Sequence, residues 1–507
     1  MRKLLFSLAV ILLLSMTLGA CGNGEESIAP TKIPGATTAA GPVEAPVPGN
    51  EEIFRYVQDL TSIGYRRTGT PAGKKAAEYV RDRLTEFGVS ETAIEQAESF
   101  SWNADQWDLS VAGQSIPSFA VANSFIPSTG TGPFSTGDSG LTAEVVDIGD
   151  GPVGDMDVRG KIVLFNLRFT PLPFSLLLDA SEFTYDPGQT FDPNDSITQP
   201  YLSNFTSVVQ SALDNGAVGF VGVLADYWDS NKYYNEAYET SITIPGLWVT
   251  KSDGQAIRDA LAKTGTGSQA TIILKGSYEP ATAMTVVGFL PGQSPETILI
   301  SSHHDSVWDG GVEDASGTAE VLALAKYFAA QPISERNKSL MFVTFDSHFT
   351  GYESHKAFIK KYIDNPVENR RIIANVSIEH IAKQVEIVDG RLTLTGLVEP
   401  RAIFESVGPV AKQAIQQAIT DSDLERTVVL PASLFYVEGE CGLPTDASFM
   451  DCAGVPVISL ISGPVYIYDP VDTSDMVPID QLEKVAKTFV QIVDRLDTMS
   501  ADEISGQ

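Results

Sequence analysis

Apolar positions recur at helical spacing over Glu51 to Leu60 and again over Ala72 to Phe87, where Ala76, Ala77, Val80, Leu84 and Phe87 share one face. The turn-rich stretch Gly64-Tyr65-Arg66-Arg67-Thr68-Gly69-Thr70 joins these two predicted helices. Residues 100–135 are rich in Ser, Gly and Pro and predict only short β pieces. From about residue 140 to 275, apolar runs such as Ile162 to Phe165 and Gly219 to Leu224, punctuated by Gly and Pro, predict small strands. The rhythm then changes. Strands are predicted at Ile298 to Ser302, Leu340 to Phe345, Arg371 to Glu379 and Val455 to Ile461, with helices at Ser316 to Ala330 and Ile479 to Leu496. Leu482, Val485, Ala486, Phe489, Val490 and Val493 make the buried stripe of the last helix. These strands carry little polar alternation, as strands covered on both faces do. The expected fold class is therefore α/β, a mixed and mostly parallel sheet flanked by helices.

The first twenty residues read differently. Arg2 and Lys3 precede an uncharged run from Leu4 to Leu18, and small residues lead into Cys21, the layout of a secretory leader. Leu18-Gly19-Ala20-Cys21 resembles the bacterial lipobox, which implies that Cys21 is acylated and begins the mature chain. Residues 21–49, rich in Pro, Ala, Thr and Gly, read as a flexible tether. No second run of 18 or more apolar residues follows. The expectation is a membrane lipoprotein facing the outside or the periplasm, touching the membrane through its lipid.

Charge narrows the partners. The 507 residues hold 34 Lys and Arg against 65 Asp and Glu, a formal net charge of −31. Nucleic acid, bound through surplus Lys and Arg, is excluded as a partner, and an anionic membrane offers no electrostatic attraction. Hydrophobic residues at 43% are too many for a disordered acidic chain, and the length exceeds what one core usually serves. Three cysteines exclude a disulfide-dense scaffold or a multi-cysteine metal site. With Cys21 given to lipid, Cys441 and Cys452 are expected to form a disulfide in an oxidising compartment.

All five histidines lie between His303 and His380, each close to the end of a predicted strand. The carboxyl ends of strands in an open α/β sheet form the ligand crevice, so His303, His304, Asp305, His348, Glu379 and His380 should converge there. Imidazole and carboxylate suit zinc, and Asp305, two residues after His303, is placed to orient it.

Ser301 to Val307, then Val312-Glu313-Asp314-Ala315-Ser316-Gly317 opening a helix, resemble the metal-binding signatures of the M28 family of zinc peptidases. That resemblance implies a zinc-exopeptidase-like domain over 50–139 and 276–500. It also implies an inserted β-rich, protease-associated-like domain over 140–275, signalled by Met156 to Leu164 and Ala212 to Gly222. His303, Glu313 and Glu379 match the ligands of one family zinc, with Glu313 where the bridge is usually Asp. The other ligand set is dismantled: His348 replaces the base glutamate, Phe349 a ligating glutamate and Tyr468 the late histidine. The implied enzyme binds one zinc and hydrolyses a peptide or related amide, with His348 as base or fourth ligand and Tyr468 as donor to the oxyanion. The alternative is a catalytically inactive relative that binds peptides or a partner protein. Arg66 or Arg67 could meet a substrate carboxylate, against a solvated surface role for both.

Overall fold

The computed structural model describes residues 46–128, 130–234, 241–265, 267–367, 370–436 and 442–506. The leader, Cys21 and Cys441 lie outside the described residues, and Cys452 is disulfide-bonded.

The two N-terminal helices form as their periodicity predicts: α1 (Asn50–Ser62) and α2 (Pro71–Glu86). Thr70 caps α2, its hydroxyl accepting the Gly73 N–H at 3.1 Å, and Pro71 occupies the first turn, where no N–H is required. Residues 100–135 depart from expectation. Most of their first part belongs to a 22-residue strand, β1 (Ser90–Val111), paired antiparallel along its length with the strand Gln269–Leu290. Its side chains are largely exposed or half-buried, so they give no apolar signal, and its partner is distant in the chain.

Between these two strands of the ribbon the chain adds β2 (Leu141–Gly149), β3 (Ile162–Leu167), β4 (Gly219–Leu224) and β5 (Gly246–Val249), all parallel to their neighbours in the order β2-β3-β4-β5. The ribbon strand β6 (Gln269–Leu290) then joins both strand groups. Its start pairs with β2 and its end with β8 (Lys338–Phe345).

The α/β portion places β8, β7 (Ser294–His303), β9 (Arg371–Ile378) and β12 (Val457–Ser462) side by side and parallel. Antiparallel β6 flanks them on one side. On the other lies antiparallel β10 (Arg401–Glu405), followed by β11 (Thr427–Pro431). Alternate residues feed two cores. Ile298 and Ile300 join one with α1, α2, α3 (Gly317–Ala329) and α4 (Ile479–Thr498), while Leu299 joins the other with Phe345 and Phe358. All six stripe residues of α4 are buried. Both faces are covered, hence the unbroken apolar strands. Among the described residues no helix is long and apolar enough to cross a membrane.

Candidate metal centre

Because β7, β8, β9 and β12 run parallel, their carboxyl ends meet at one edge of the sheet. His303 ends β7, Ser347 and His348 follow β8, and Glu379 and His380 follow β9. Between His303 and α3 the chain makes a tight excursion that would be unstable alone, since its carbonyls need donors away from water. Arg66 supplies them: fully buried, it donates to the carbonyls of His304, Asp309 and Gly310. Asp472 holds the other side, accepting the N–H groups of Val312 and Glu313 at 2.8 and 3.0 Å. At Gly311 a Cβ would lie 2.2 Å from the Thr473 carbonyl oxygen, so only glycine permits this approach. Arg66 thus fills neither role considered for it. Arg67, half-buried, donates to the Val307 carbonyl and stacks near Tyr65, Tyr234 and Trp308.

His303 is fully buried, its Nδ1 facing the Asp305 carboxylate at 3.3 Å and the Asp305 carbonyl at 3.2 Å. Its Nε2 lies 3.3 Å from Glu313 Oε1. The second carboxylate oxygen, Oε2, lies 2.6 Å from His380 Nε2, off the line an N–H···O bond requires. His303 Nε2, both Glu313 oxygens and His380 Nε2 are therefore buried polar atoms without an aligned partner. Their ligand atoms lie close enough to share one cation.

His348 stacks on His303 with ring centres 4.2 Å apart. Its Nε2 is 3.7 Å from Glu313 Oε1, and its Nδ1 is 3.0 Å from Asp446 Oδ1. Asp446 Oδ2 in turn lies 3.1 Å from His355 Nε2. A second group, His303, His348 and Asp446, also has the spacing for a cation.

Not every expected ligand arrives. Glu379 Oε1 accepts from Ser377 Oγ at 2.9 Å and Oε2 from the Asp446 N–H at 3.4 Å, so Glu379 stands outside both groups. Adjacent residues leaving a strand project to opposite sides, and His380, held at φ 54° with Nδ1 against the Ser462 carbonyl, turns toward Glu313 instead. Tyr468 packs in an aromatic wall with Tyr233 and Phe349, and Phe349 also touches the His303 and His348 rings. Asp446 escaped the sequence reading altogether. It sits in a loop without periodicity, and its only signal is an acid in the stretch before the Val455 strand.

Charge within the cluster is strongly coupled. Burial alone would raise Glu313, but His380, His303 and His348 hold its carboxyl well below the usual range. Burial opposes a proton on His380, yet Glu313 beside it drives the imidazole up to about 10. His304 is different: burial lowers it to about 4, leaving a neutral ring bonded to Thr344. A cation entering the cleft competes with the protons on His303 and His380 for the same lone pairs.

Residues 285–493 match the model of peptidase family M28. No curated protein matches the chain. Solved structures do. An M28 peptidase precursor from Shewanella amazonensis SB2B superposes with a TM-score of 0.62 at 18% identity, over 89% of this chain and 94% of that one. A zinc aminopeptidase from Bacillus subtilis gives 0.61 at 16%, over 91% and 100%. An aminopeptidase from Aneurinibacillus sp. strain AM-1 gives 0.57 at 18%, over 88% and 93%. At these identities the likeness establishes a shared fold, and the segment that matches the M28 model carries the histidine cluster.

Proposed function

We propose that the chain is an extracytoplasmic, lipid-anchored metallopeptidase that hydrolyses peptide or related amide bonds with one zinc ion. The observation that carries this is the convergence of His303 Nε2, Glu313 and His380 Nε2, buried donors that crowd together without hydrogen-bonding one another. Two imidazoles and a carboxylate are the donor set of an open zinc site. Both candidate groups need His303, whose Nδ1 is turned to Asp305; one remaining nitrogen serves one ion. The similarity to zinc aminopeptidases supports the same reading.

When bound, zinc acidifies water and polarises the scissile carbonyl. His348 accepts at Nε2 the proton of the attacking water as the water oxygen bonds to the carbonyl carbon. The proton then passes to the leaving nitrogen as the C–N bond breaks. The Tyr468 hydroxyl is the assigned donor to the oxyanion. Residues 140–275 are assigned as the protease-associated-like module that shapes access.

An apolar cavity has Phe174, Phe191, Leu202, Phe404, Pro444 and Ile461 in its lining.

Elemental analysis and a peptide panel test the reading. About one zinc per chain, with turnover of peptides in the panel, is expected. Turnover absent while peptides or a partner protein are still captured would make the crevice a docking site. No metal at all would mean that Glu313 is held by protonated histidines alone.

A further inference from the structure

The geometry points to Asp446 as a positioning residue that aims His348. This deepens the hydrolytic reading, on which its kinetic arm rests, while its structural arm stands alone.

Asp446 is buried between two imidazoles, with Oδ1 at 3.0 Å from His348 Nδ1 and Oδ2 at 3.1 Å from His355 Nε2. Its own N–H reaches Glu379 Oε2 at 3.4 Å, fixing the loop that carries it. His355 is itself wedged, its ring stacked on Phe345 at 3.9 Å and leaning on Phe449 and Tyr352. A buried carboxylate without compensation would be costly, so Asp446 sits against both imidazoles, close enough for electrostatic attraction although off the line of an N–H···O bond. A proton held on His348 Nδ1 by Asp446 leaves the lone pair on Nε2, the nitrogen that lies 3.7 Å from Glu313 Oε1. An imidazole so oriented accepts a proton only at the end facing the centre. His355 acts through Asp446: it occupies the second oxygen and prevents the carboxylate from swinging toward the ion. The side chain that replaces a carboxylate base thereby gains a partner that sets its tautomer.

The test uses Asp446→Asn, which offers one acceptor oxygen instead of two, with His355→Gln as a second variant should the first not fold. Protein carrying ¹⁵N-histidine gives separate ring signals for five histidines, and His348 is identified by the signal lost in His348→Gln. In metal-free wild type His348 should carry its proton on Nδ1, and Asp446→Asn should move that population toward Nε2. With zinc present, Asp446→Asn should retain the metal and the KM while kcat falls at least about tenfold. Loss of zinc in Asp446→Asn would make Asp446 a ligand of the His303–His348 group and overturn the proposal. An unchanged His348 tautomer in both variants would overturn it equally, whatever the turnover. A wild type without turnover but with the expected tautomer and its shift would leave Asp446 aiming His348 and sink the hydrolytic reading instead.

Discussion

At the scale of single residues, the choice between Glu379 and His380 decides what the centre holds. Glu379 is engaged by Ser377 and the Asp446 backbone, whereas His380 faces Glu313. His380→Ala should therefore lose most of the bound zinc, as should His303→Ala, because two protein ligands leave the site incomplete. Glu379→Gln should retain it. Zinc per chain, measured after dialysis against a weak chelator, checks all three; the reverse order for positions 379 and 380 would restore the ligand set that the family resemblance implies. A second residue-scale effect lies away from the centre. Glu399 is buried near Arg426, and burial outweighs that cation to push its carboxyl up to about 8. A folded-state pKa raised above the unfolded one contributes stability that is complete below the unfolded value and lost as pH rises through the folded value. The Glu399 contribution to melting temperature should thus fall from about pH 4.5 to about pH 8, and Glu399→Gln should remove that part of the fall.

At the scale of elements, the junction of the ligand loop with α3 is the most demanding piece of packing. A Cβ at Gly317 would lie 2.2 Å from the Ile378 carbonyl oxygen and 2.5 Å from an Asp314 carboxylate oxygen. Asp314 accepts from Ser302, the Gly317 N–H and the His380 N–H, tying β7, α3 and the end of β9 into one knot. Gly317→Ala must push the helix off the strand, at a cost of about 1–3 kcal/mol. The knot positions His303, Glu313 and His380 together, so the variant should also bind zinc more weakly. Urea titration with and without zinc reads both effects, and a variant as stable and as well loaded as wild type would refute the packing argument.

At the scale of the whole molecule, the acidic chain has no electrostatic reason to adhere to a membrane, and no described helix spans one. The attachment proposed above rests on Cys21, to which the leader pattern assigns lipid. Intact-mass analysis of the mature protein should show a diacylated or triacylated N-terminal cysteine, and Cys21→Ala should release the protein from membranes. A mature chain starting elsewhere, or an unmodified cysteine, would remove the anchor from the proposal. The long ribbon of β1 and β6 joins the strands of 140–275 to the α/β sheet.

What the sequence determined by itself were the features written in short-range pattern. The periodicity of α1, α2 and α4, the apolar parallel strands and the clustering of histidines at strand ends are all local, because each depends on residues a turn or a strand apart. The Ser301 to Val307 and Val312 to Gly317 motifs carried the family resemblance for the same reason. Only the tertiary structure decided the rest. β1 is a strand because Gln269–Leu290 lies alongside it, not because its own residues demand it. Arg66 is a buried loop clamp because three carbonyls surround it. Asp446 joins His348 and His355 through a loop whose path no periodicity records. Which of Glu379 and His380 faces Glu313 depends on a backbone turn at one residue, and contacts of that kind exist only once the strands have brought their ends together.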